Sequence, residues 1–267
     1  MLTDKMADIS GLVDFFKSEW FRNTTVLSTT LAVAYFGTGL LFLIPDLTGK
    51  PIWMLKYKTQ PPQNFKVTGD DVKKVIQQLT FNSLAIHLPF MFLYYHLQVW
   101  RGCDQSFKVP APLHFLRDVA LCILIEEIAF YYAHRILHSS FMYKRYHKVH
   151  HEFTAPFGLV SAYSHPVEFI FSNLGTIMTG PLVVGCDVVT TSVVFFLSVA
   201  VTVIHHSGYH LPLLPSPEFH DYHHLKFTGN YGVLGVLDWL HGTDKQFRKS
   251  KQSRRHKVIF FARETTG

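Results

Sequence analysis

The segment HRILHSSFMYKRYHKVHH, residues 134–151, contains five histidines, and HDYHH at residues 220–224 adds three more. Within each cluster the histidines lie three or four residues apart, a spacing that places side chains on one face of a helix. Imidazole is the commonest metal ligand in proteins. Eight such residues exceed the four ligands of a tetrahedral zinc site, so they indicate two metal ions or a larger coordination demand. The eight are His134, His138, His147, His150, His151, His220, His223 and His224.

Composition favours a protein that lies in a membrane. The chain has 267 residues, of which 48% are hydrophobic and only 16% are charged, against about 25% charged residues in soluble domains. The formal net charge is +6. Because the lysines and arginines flank apolar stretches, contact with lipid head groups is favoured over nucleic acid. The three cysteines are odd in number and widely spaced, which predicts neither a disulfide nor a cysteine metal site.

The hydropathy pattern predicts an all-α, polytopic membrane bundle. Apolar runs at residues 24–44, 79–100 and 113–133 are close to the about 20 residues that cross a bilayer. Residues 169–204 are apolar for about two further spans, and their break near Gly180, Pro181, Gly185 and Asp187 predicts a helical hairpin. We expect residues 1–112 to form an N-terminal membrane region with two candidate spans. Residues 113–267 then form the catalytic region, with the third span, the hairpin and the histidines.

Basic residues predict the orientation of these spans, because cytosolic loops are enriched in lysine and arginine. The loop at 50–74, the region at 135–148 and the tail at 245–255 are all basic. One threading makes all three cytosolic: the first three spans alternate and the hairpin returns to its starting side. The three histidine clusters then share the cytosolic face. If only two of the first three segments cross, or one is re-entrant, the clusters still share one face.

The clusters and their surroundings resemble the three histidine boxes of the fatty acid hydroxylase/sterol desaturase superfamily. AYSHPVEF at residues 162–169, HSGYHLPLLPSPEFHDYHH at 206–224 and LKFTGNYGVLGVLDWLHGTD at 225–244 extend the resemblance, which is strongest to the sterol C4-methyl oxidase branch. It covers about residues 113–244. The resemblance implies a non-haem di-iron centre (two iron ions) in the endoplasmic reticulum membrane. It also implies that O2 and NAD(P)H-derived electrons are used, with cytochrome b5 or a related carrier as the electron partner.

The resemblance carries the eight box histidines over as metal ligands. It also points to His206 and His210, an i, i+4 pair just after the hairpin, where members of the superfamily contribute additional ligands. The implied substrate is a lipid, and the C4 methyl group of a sterol intermediate is the leading target. Fatty-acyl or sphingolipid hydroxylation or desaturation is the enzymatic alternative. A non-catalytic membrane regulatory protein that retains the metal site, and a metal transporter, are alternatives of other classes.

Four further residues are candidates to support the site. His165, which precedes Pro166, could bind metal, orient a ligand through a hydrogen bond, or begin a helix. Glu126 and Glu127 lie eight and seven residues before His134, about two helical turns away. Either could accept a hydrogen bond from a ligand imidazole or relay protons, the alternatives being a salt bridge with Arg135 or a place at the end of the span. Asp238 could accept a hydrogen bond from a ligand histidine.

Overall fold

The apolar runs of the sequence form the long helices of the computed structural model, which describes residues 14–61, 64 and 66–260. The described residues include no named strand, only an isolated bridge between Lys58 and Tyr209. The α-helices are α1 (Glu19–Ala32), α2 (Thr38–Thr48), α3 (Ile52–Leu55), α4 (Gly69–Asn82), α5 (Leu88–Arg101), α6 (Pro112–Leu137), α7 (Ser140–Met142), α8 (Pro166–Glu168), α9 (Gly175–Val184), α10 (Val188–His206), α11 (Glu218–Lys226), α12 (Val236–His241), α13 (Lys245–Arg248) and α14 (Lys251–Arg255). Between them, within the described ranges, lie the π-helical segments Val33–Gly37, Ser83–His87, Tyr143–His147 and Phe169–Leu174 and the 3-10 segments His150–Glu152 and Gly158–Ala162.

Three continuous helices among the described residues are long and apolar enough to cross a membrane. They are Glu19–Thr48, Pro166–Val184 and Val188–His206. The first contains the predicted span at 24–44. The other two form the predicted hairpin. Its first helix ends at Gly185, which has a left-handed backbone conformation. Its second helix begins after Asp187, whose side chain accepts a hydrogen bond from Thr190 N. The prediction of an all-α membrane bundle is therefore confirmed.

The predicted spans at 79–100 and 113–133 do not meet the same criteria. The first is divided among α4, a π-helical segment and α5. The second lies within α6, a helix of 26 residues that carries Arg117, Asp118, Glu126 and Glu127. Both nevertheless expose large apolar side chains, among them Leu84 and Phe92 on the first and Leu124 and Ile128 on the second. These faces suit lipid contact, as the hydropathy of the sequence predicts.

Helix α10 lies at the centre of the bundle. It contacts α1, α6, α9 and α11, and its Phe195 and Val203 are fully buried. Helix α6 packs closely on α9, where a Cβ added to Gly180 would lie 3.1 Å from the Cα of Cys122. Helix α6 also contacts α10 directly. His134 lies in the last turn of α6 and His206 is the last residue of α10, so one end of the bundle receives both.

The second histidine cluster is not on a regular α-helix. Its His147 ends the π-helical segment Tyr143–His147, in which Lys148 N donates to Tyr143 O at 3.0 Å, and the 3-10 turn His150–Glu152 follows. The prediction of a single helix face is therefore wrong for this cluster. Its three histidines are carried by consecutive turns of different width.

Candidate metal centre

Nine histidines converge into two adjacent groups at this end of the bundle. In each group the nitrogen atoms that could bind a metal lie within 4.8 Å of one another. The five-histidine group consists of His134, His138, His147, His151 and His223. The four-histidine group consists of His150, His206, His220 and His224. All of these side chains are buried except that of His138, which is half-buried.

The second and third clusters are each divided between the two groups. In HKVHH, the i, i+4 pair His147 and His151 belongs to the five-histidine group, and His150 belongs to the other. In HDYHH the assignment is reversed: the i, i+4 pair of His220 and His224 joins the four-histidine group, and His223 joins the five. Each of these two segments therefore contributes histidines to both groups.

The spacing of the Nε2 atoms fits a metal ion in each group. In the five-histidine group, His138 Nε2 lies 3.0 Å from that of His147, 3.1 Å from that of His223 and 3.2 Å from that of His151. Two metal–nitrogen bonds of about 2.1 Å at right angles separate their nitrogens by about 3.0 Å. In the four-histidine group, His206 Nε2 lies 2.9 Å from His220 Nε2 and 3.1 Å from His150 Nε2.

Backbone carbonyls fix the protonation of five rings. Each carbonyl lies within hydrogen-bond distance of an Nδ1 atom, so Nδ1 carries the proton and Nε2 presents its lone pair to the group. The pairs are His134 with Tyr231 O (2.8 Å), His150 with Tyr163 O (3.1 Å), His206 with Thr202 O (2.8 Å), His223 with Gly229 O (2.7 Å) and His224 with Phe153 O (3.1 Å). Since the Nε2 atoms of neutral His150 and His206 both lack a proton, they cannot hydrogen-bond to each other. Such facing lone pairs fit a bound cation.

Burial keeps these imidazoles neutral at physiological pH. It lowers the pKa of His150 to about 4. It also holds the pKa of His151, His223 and His224 well below the usual range, with neighbouring imidazoles adding to the effect. Neutral imidazole is the form that binds metal ions, so the site is preorganised for binding without first losing protons.

Glu127 and Asp238 hold the loop that provides one of these carbonyls. Glu127 Oε2 accepts from the backbone N–H groups of Val233 and Leu234, each at 2.8 Å. Asp238 accepts from the N–H groups of Tyr231 at 2.9 Å and Gly232 at 2.6 Å. The sequence analysis offered both carboxylates as acceptors for a ligand imidazole, but neither contacts an imidazole directly. They act through the backbone of this loop, whose Tyr231 carbonyl accepts from His134.

Comparisons with known proteins point to one family. A family model described as fatty acid hydroxylase matches residues 119–243. Human fatty acid hydroxylase domain-containing protein 2 is 46% identical over 220 residues, which are 82% of this chain and 66% of the human protein. A fatty acid hydroxylase of Mycosarcoma maydis is 36% identical over 85% of this chain and 58% of its own length. Methylsterol monooxygenase 2-2 of Arabidopsis thaliana is 38% identical over 81% of this chain and 84% of its own.

This chain belongs to the fatty acid hydroxylase family. The matched family segment begins within α6 and ends after α12, so it contains all nine grouped histidines. The chain spans just under two thirds of the length of the human relative. No solved structure matches it significantly.

In this member of the fatty acid hydroxylase family, an apolar cavity of about 340 Å³ reaches the histidines. Its wall includes rings from both groups and side chains of the membrane-crossing helices, such as Leu31, Ile177 and Val199. Glu126 also lies in this wall, where it accepts from Ser198 Oγ. It contacts neither an imidazole nor Arg135, which donates instead to the hydroxyl of Tyr131.

His210 and His165 lie outside both groups. The helix that carries His206 ends at that residue. His210 is fully buried, and its Nε2 lies 2.8 Å from Lys257 O and its Nδ1 3.6 Å from Glu218 Oε1. The expected pairing of His210 with His206 as ligands is not found, because the chain leaves the helix before the next turn. His165 begins α8: its Nδ1 accepts from Val167 N at 3.1 Å.

Glu168 is the residue of this site that sequence reasoning missed. Its Oε1 lies 2.9 Å from His147 Nδ1, and the carboxylate is buried in the cavity wall. A carboxylate beside the Nδ1 of a metal-binding histidine orients the ring and favours a proton on that atom. The sequence offered one indication of this role. Glu168 is the only acidic residue of AYSHPVEF, and a carboxylate in an apolar stretch close to a histidine box needs a polar partner.

Proposed function

We propose that this protein is a membrane non-haem di-iron oxygenase that hydroxylates a lipid. Its proposed target is the C4 methyl group of a sterol intermediate. The observation that carries the proposal is the apolar cavity that ends at the two histidine groups. A pocket of this kind, with convergent polar groups at one end, is the usual form of a small-molecule site. Its position among membrane-crossing helices suits a substrate that arrives from the bilayer.

The donor set supports iron as the metal. Imidazole binds iron, copper, nickel and zinc, and histidine-rich sites with nitrogen–nitrogen spacings near 3 Å suit ions that take more than four ligands. The five-histidine group exceeds the four positions of a structural zinc site.

When bound, the two irons supply the oxidising power that no side chain has, since an unactivated C–H bond must be broken. In the balanced reaction one oxygen atom enters the substrate as hydroxyl and the other leaves as water, with two electrons and two protons consumed.

The residues of this chain provide position and environment for that chemistry. The carbonyl-bound Nδ1 atoms hold the imidazoles in fixed orientations. Leu31, Ile177 and Val199 line the cavity with hydrocarbon, which excludes water from the reacting carbon. Glu127 and Asp238 hold the loop behind His134. These supporting contacts keep the site rigid, and rigidity limits which carbon of the lipid is attacked.

The relatives support two lipid classes. The Arabidopsis thaliana relative is named a methylsterol monooxygenase and is matched over 84% of its length, which supports the sterol target. The Mycosarcoma maydis relative is named a fatty acid hydroxylase, which supports fatty-acyl hydroxylation as the second candidate. We place the enzyme in the endoplasmic reticulum membrane with the histidine clusters facing the cytosol. Electrons derived from NAD(P)H would then reach it through cytochrome b5 or a related carrier.

Product analysis separates these candidates. Purified protein, loaded with iron, reductant and O2, is offered a 4-methylsterol and a fatty-acyl lipid in the same membrane, and the products are identified by mass spectrometry. We expect oxygenated sterol from the wild type and none from the His150→Ala variant. An oxygenated acyl chain with intact sterol would replace the first candidate by the second. A non-catalytic role would be favoured by three results together: the protein binds metal, no oxygenated lipid is formed, and the cellular function survives His150→Ala.

A further inference from the structure

We propose that Glu168 accepts a hydrogen bond from a hydroxyl group of the lipid substrate, carried on the carbon next to the one that is oxidised. The inference rests on the proposed function and adds a requirement to it. It assigns this carboxylate a role in selecting a hydroxylated lipid over a plain acyl chain.

The two oxygens of Glu168 have different surroundings. Oε1 faces His147 Nδ1 at 2.9 Å, whereas Oε2 is buried and has no hydrogen-bond partner among the described residues. The whole side chain is only 3% exposed. Because a buried acceptor without a donor is costly, a donor from a molecule in the cavity would satisfy it.

The part of the cavity wall around Glu168 carries several polar side chains. Glu168 is the last residue of α8, and Ser172 and Asn173 follow in the π-helical segment Phe169–Leu174. The carbonyl of Ser161 accepts a hydrogen bond from Asn173 Nδ2 at 3.3 Å. The hydrocarbon side of the same cavity comprises Leu31, Leu79, Phe130, Leu174, Ile177 and Val199. Polar groups elsewhere in the wall have partners within the protein: His87 Nε2 lies 3.0 Å from Ser28 Oγ, and Glu126 accepts a hydrogen bond from Ser198. A ligand that fits this wall is therefore largely apolar, with a polar group directed to Glu168.

The position of Glu168 sets where that polar group must be. Only the imidazole ring of His147 separates its carboxylate from the Nε2 atom that faces the five-histidine group. A hydroxyl bound to Oε2 therefore lies near the metal centre and not at the far end of the cavity. A sterol meets this condition, since its hydroxyl is on C3 and the proposed target is the methyl group on C4. A saturated acyl chain has no hydroxyl near the carbon to be attacked.

A binding experiment tests the requirement without turnover. The full chain, with its metals, is placed in lipid nanodiscs without reductant, and the affinities of three 4-methyl steroids with one carbon skeleton are measured. They carry a 3-hydroxyl, a 3-ketone or no oxygen at C3. We expect the wild type to bind the 3-hydroxyl compound about tenfold more tightly than the 3-ketone, the size expected for one hydrogen bond gained.

The Glu168→Gln variant should change this preference. Its amide keeps one oxygen to face His147 and replaces the other by an N–H donor, so the hydroxyl-to-ketone ratio should fall about tenfold. The 3-deoxy compound should bind equally to both forms, which controls for folding. Glu19→Gln makes the same chemical change at the exposed start of α1, outside the cavity lining, and should leave the ratio unaltered.

The possible results separate this inference from the proposed function. Equal affinity of the wild type for the hydroxyl and ketone compounds, or a preference for the ketone, overturns the role of Glu168 while sterol oxidation can still stand. The same holds if Glu168→Gln binds the deoxy compound normally and keeps the wild-type ratio. If no steroid binds and only acyl lipids are oxygenated, the sterol target fails and the inference fails with it. If Glu168→Gln does not fold, the ratio of the wild-type affinities for the hydroxyl and ketone compounds alone decides whether the inference stands.

Discussion

Arg255 donates a hydrogen bond across 2.8 Å to the buried carboxylate of Glu218 and thereby ties the C-terminal segment to helix α11. The same guanidinium donates to Thr59 O at 3.0 Å. One turn along α11, the buried Asp221 accepts from Gln60 at 2.8 Å and from Gln252 at 2.9 Å. The helix that contributes histidines to both groups is therefore held from two distant parts of the chain.

Arg255→Met should loosen this helix. The substitution removes the charged hydrogen-bond donor of the buried Glu218. We therefore expect the free energy of unfolding to fall by about 1–3 kcal/mol. The melting temperature and the metal content of the purified protein measure the effect. Arg254→Met is the matched control, because Arg254 is exposed in the same helix and should change neither quantity. Equal melting temperatures for the two variants would contradict the proposed tie.

Gly232→Ala should disturb the loop behind His134. An added Cβ would lie 2.7 Å from Glu127 Oε1 and 3.0 Å from Asp238 Oδ2, the two carboxylates that hold this loop. We expect a loss of about 1–3 kcal/mol, as for other overpacked sites, and weaker metal binding by the five-histidine group. Thermal denaturation and metal titration report these changes. At Gly37 an added Cβ meets nothing within 4 Å, so Gly37→Ala should have wild-type metal binding.

His150→Ala and His210→Ala should differ in metal content. Both side chains are buried, but only His150 belongs to a histidine group. We expect His150→Ala to lose the metal of the four-histidine group and to keep that of the other. His210→Ala should keep both metals, although losing its contact with Lys257 O should lower the melting temperature. Elemental analysis of the purified variants decides. Metal loss on His210→Ala with retention on His150→Ala would reverse the assignment.

Glu127→Ala should be more harmful than Glu127→Gln. Alanine leaves the N–H groups of Val233 and Leu234 without their acceptor, at about 1–3 kcal/mol for each. Glutamine retains one acceptor oxygen, so we expect it to recover part of this loss. The melting temperatures of both variants, with metal affinity as a second readout, provide the test. Identical defects in the two variants would indicate that the negative charge, and not the acceptor, is what matters.

Local periodicity made much of this architecture predictable. Hydropathy alone located the first span and the hairpin, because a membrane-crossing helix must be apolar along its length. It was less informative for residues 79–100 and 113–133, where polar residues such as Glu126 and Glu127 interrupt the pattern. Those polar residues have tertiary partners, including Ser198 and the Val233 amide, that a hydropathy average does not represent.

The histidine spacing predicted which residues converge but not how they divide. His206 and His210 have the same i, i+4 spacing as His220 and His224, yet only the second pair stays together. The difference is that α11 continues through both of its histidines, whereas α10 ends at His206. For these two pairs the spacing gives a shared face only where one helix carries both residues, whereas His147 and His151 share a group although no single regular helix carries them.

The sequence by itself determined that this protein is a helical membrane protein with three histidine clusters able to hold metal, because hydropathy and helical spacing act over a few residues. Tertiary structure alone decided that HKVHH and HDYHH are each divided between two groups, and that Glu168 lies against His147. These relationships join residues far apart in the chain, and they depend on how helices pack and where they end. No local pattern contains that information.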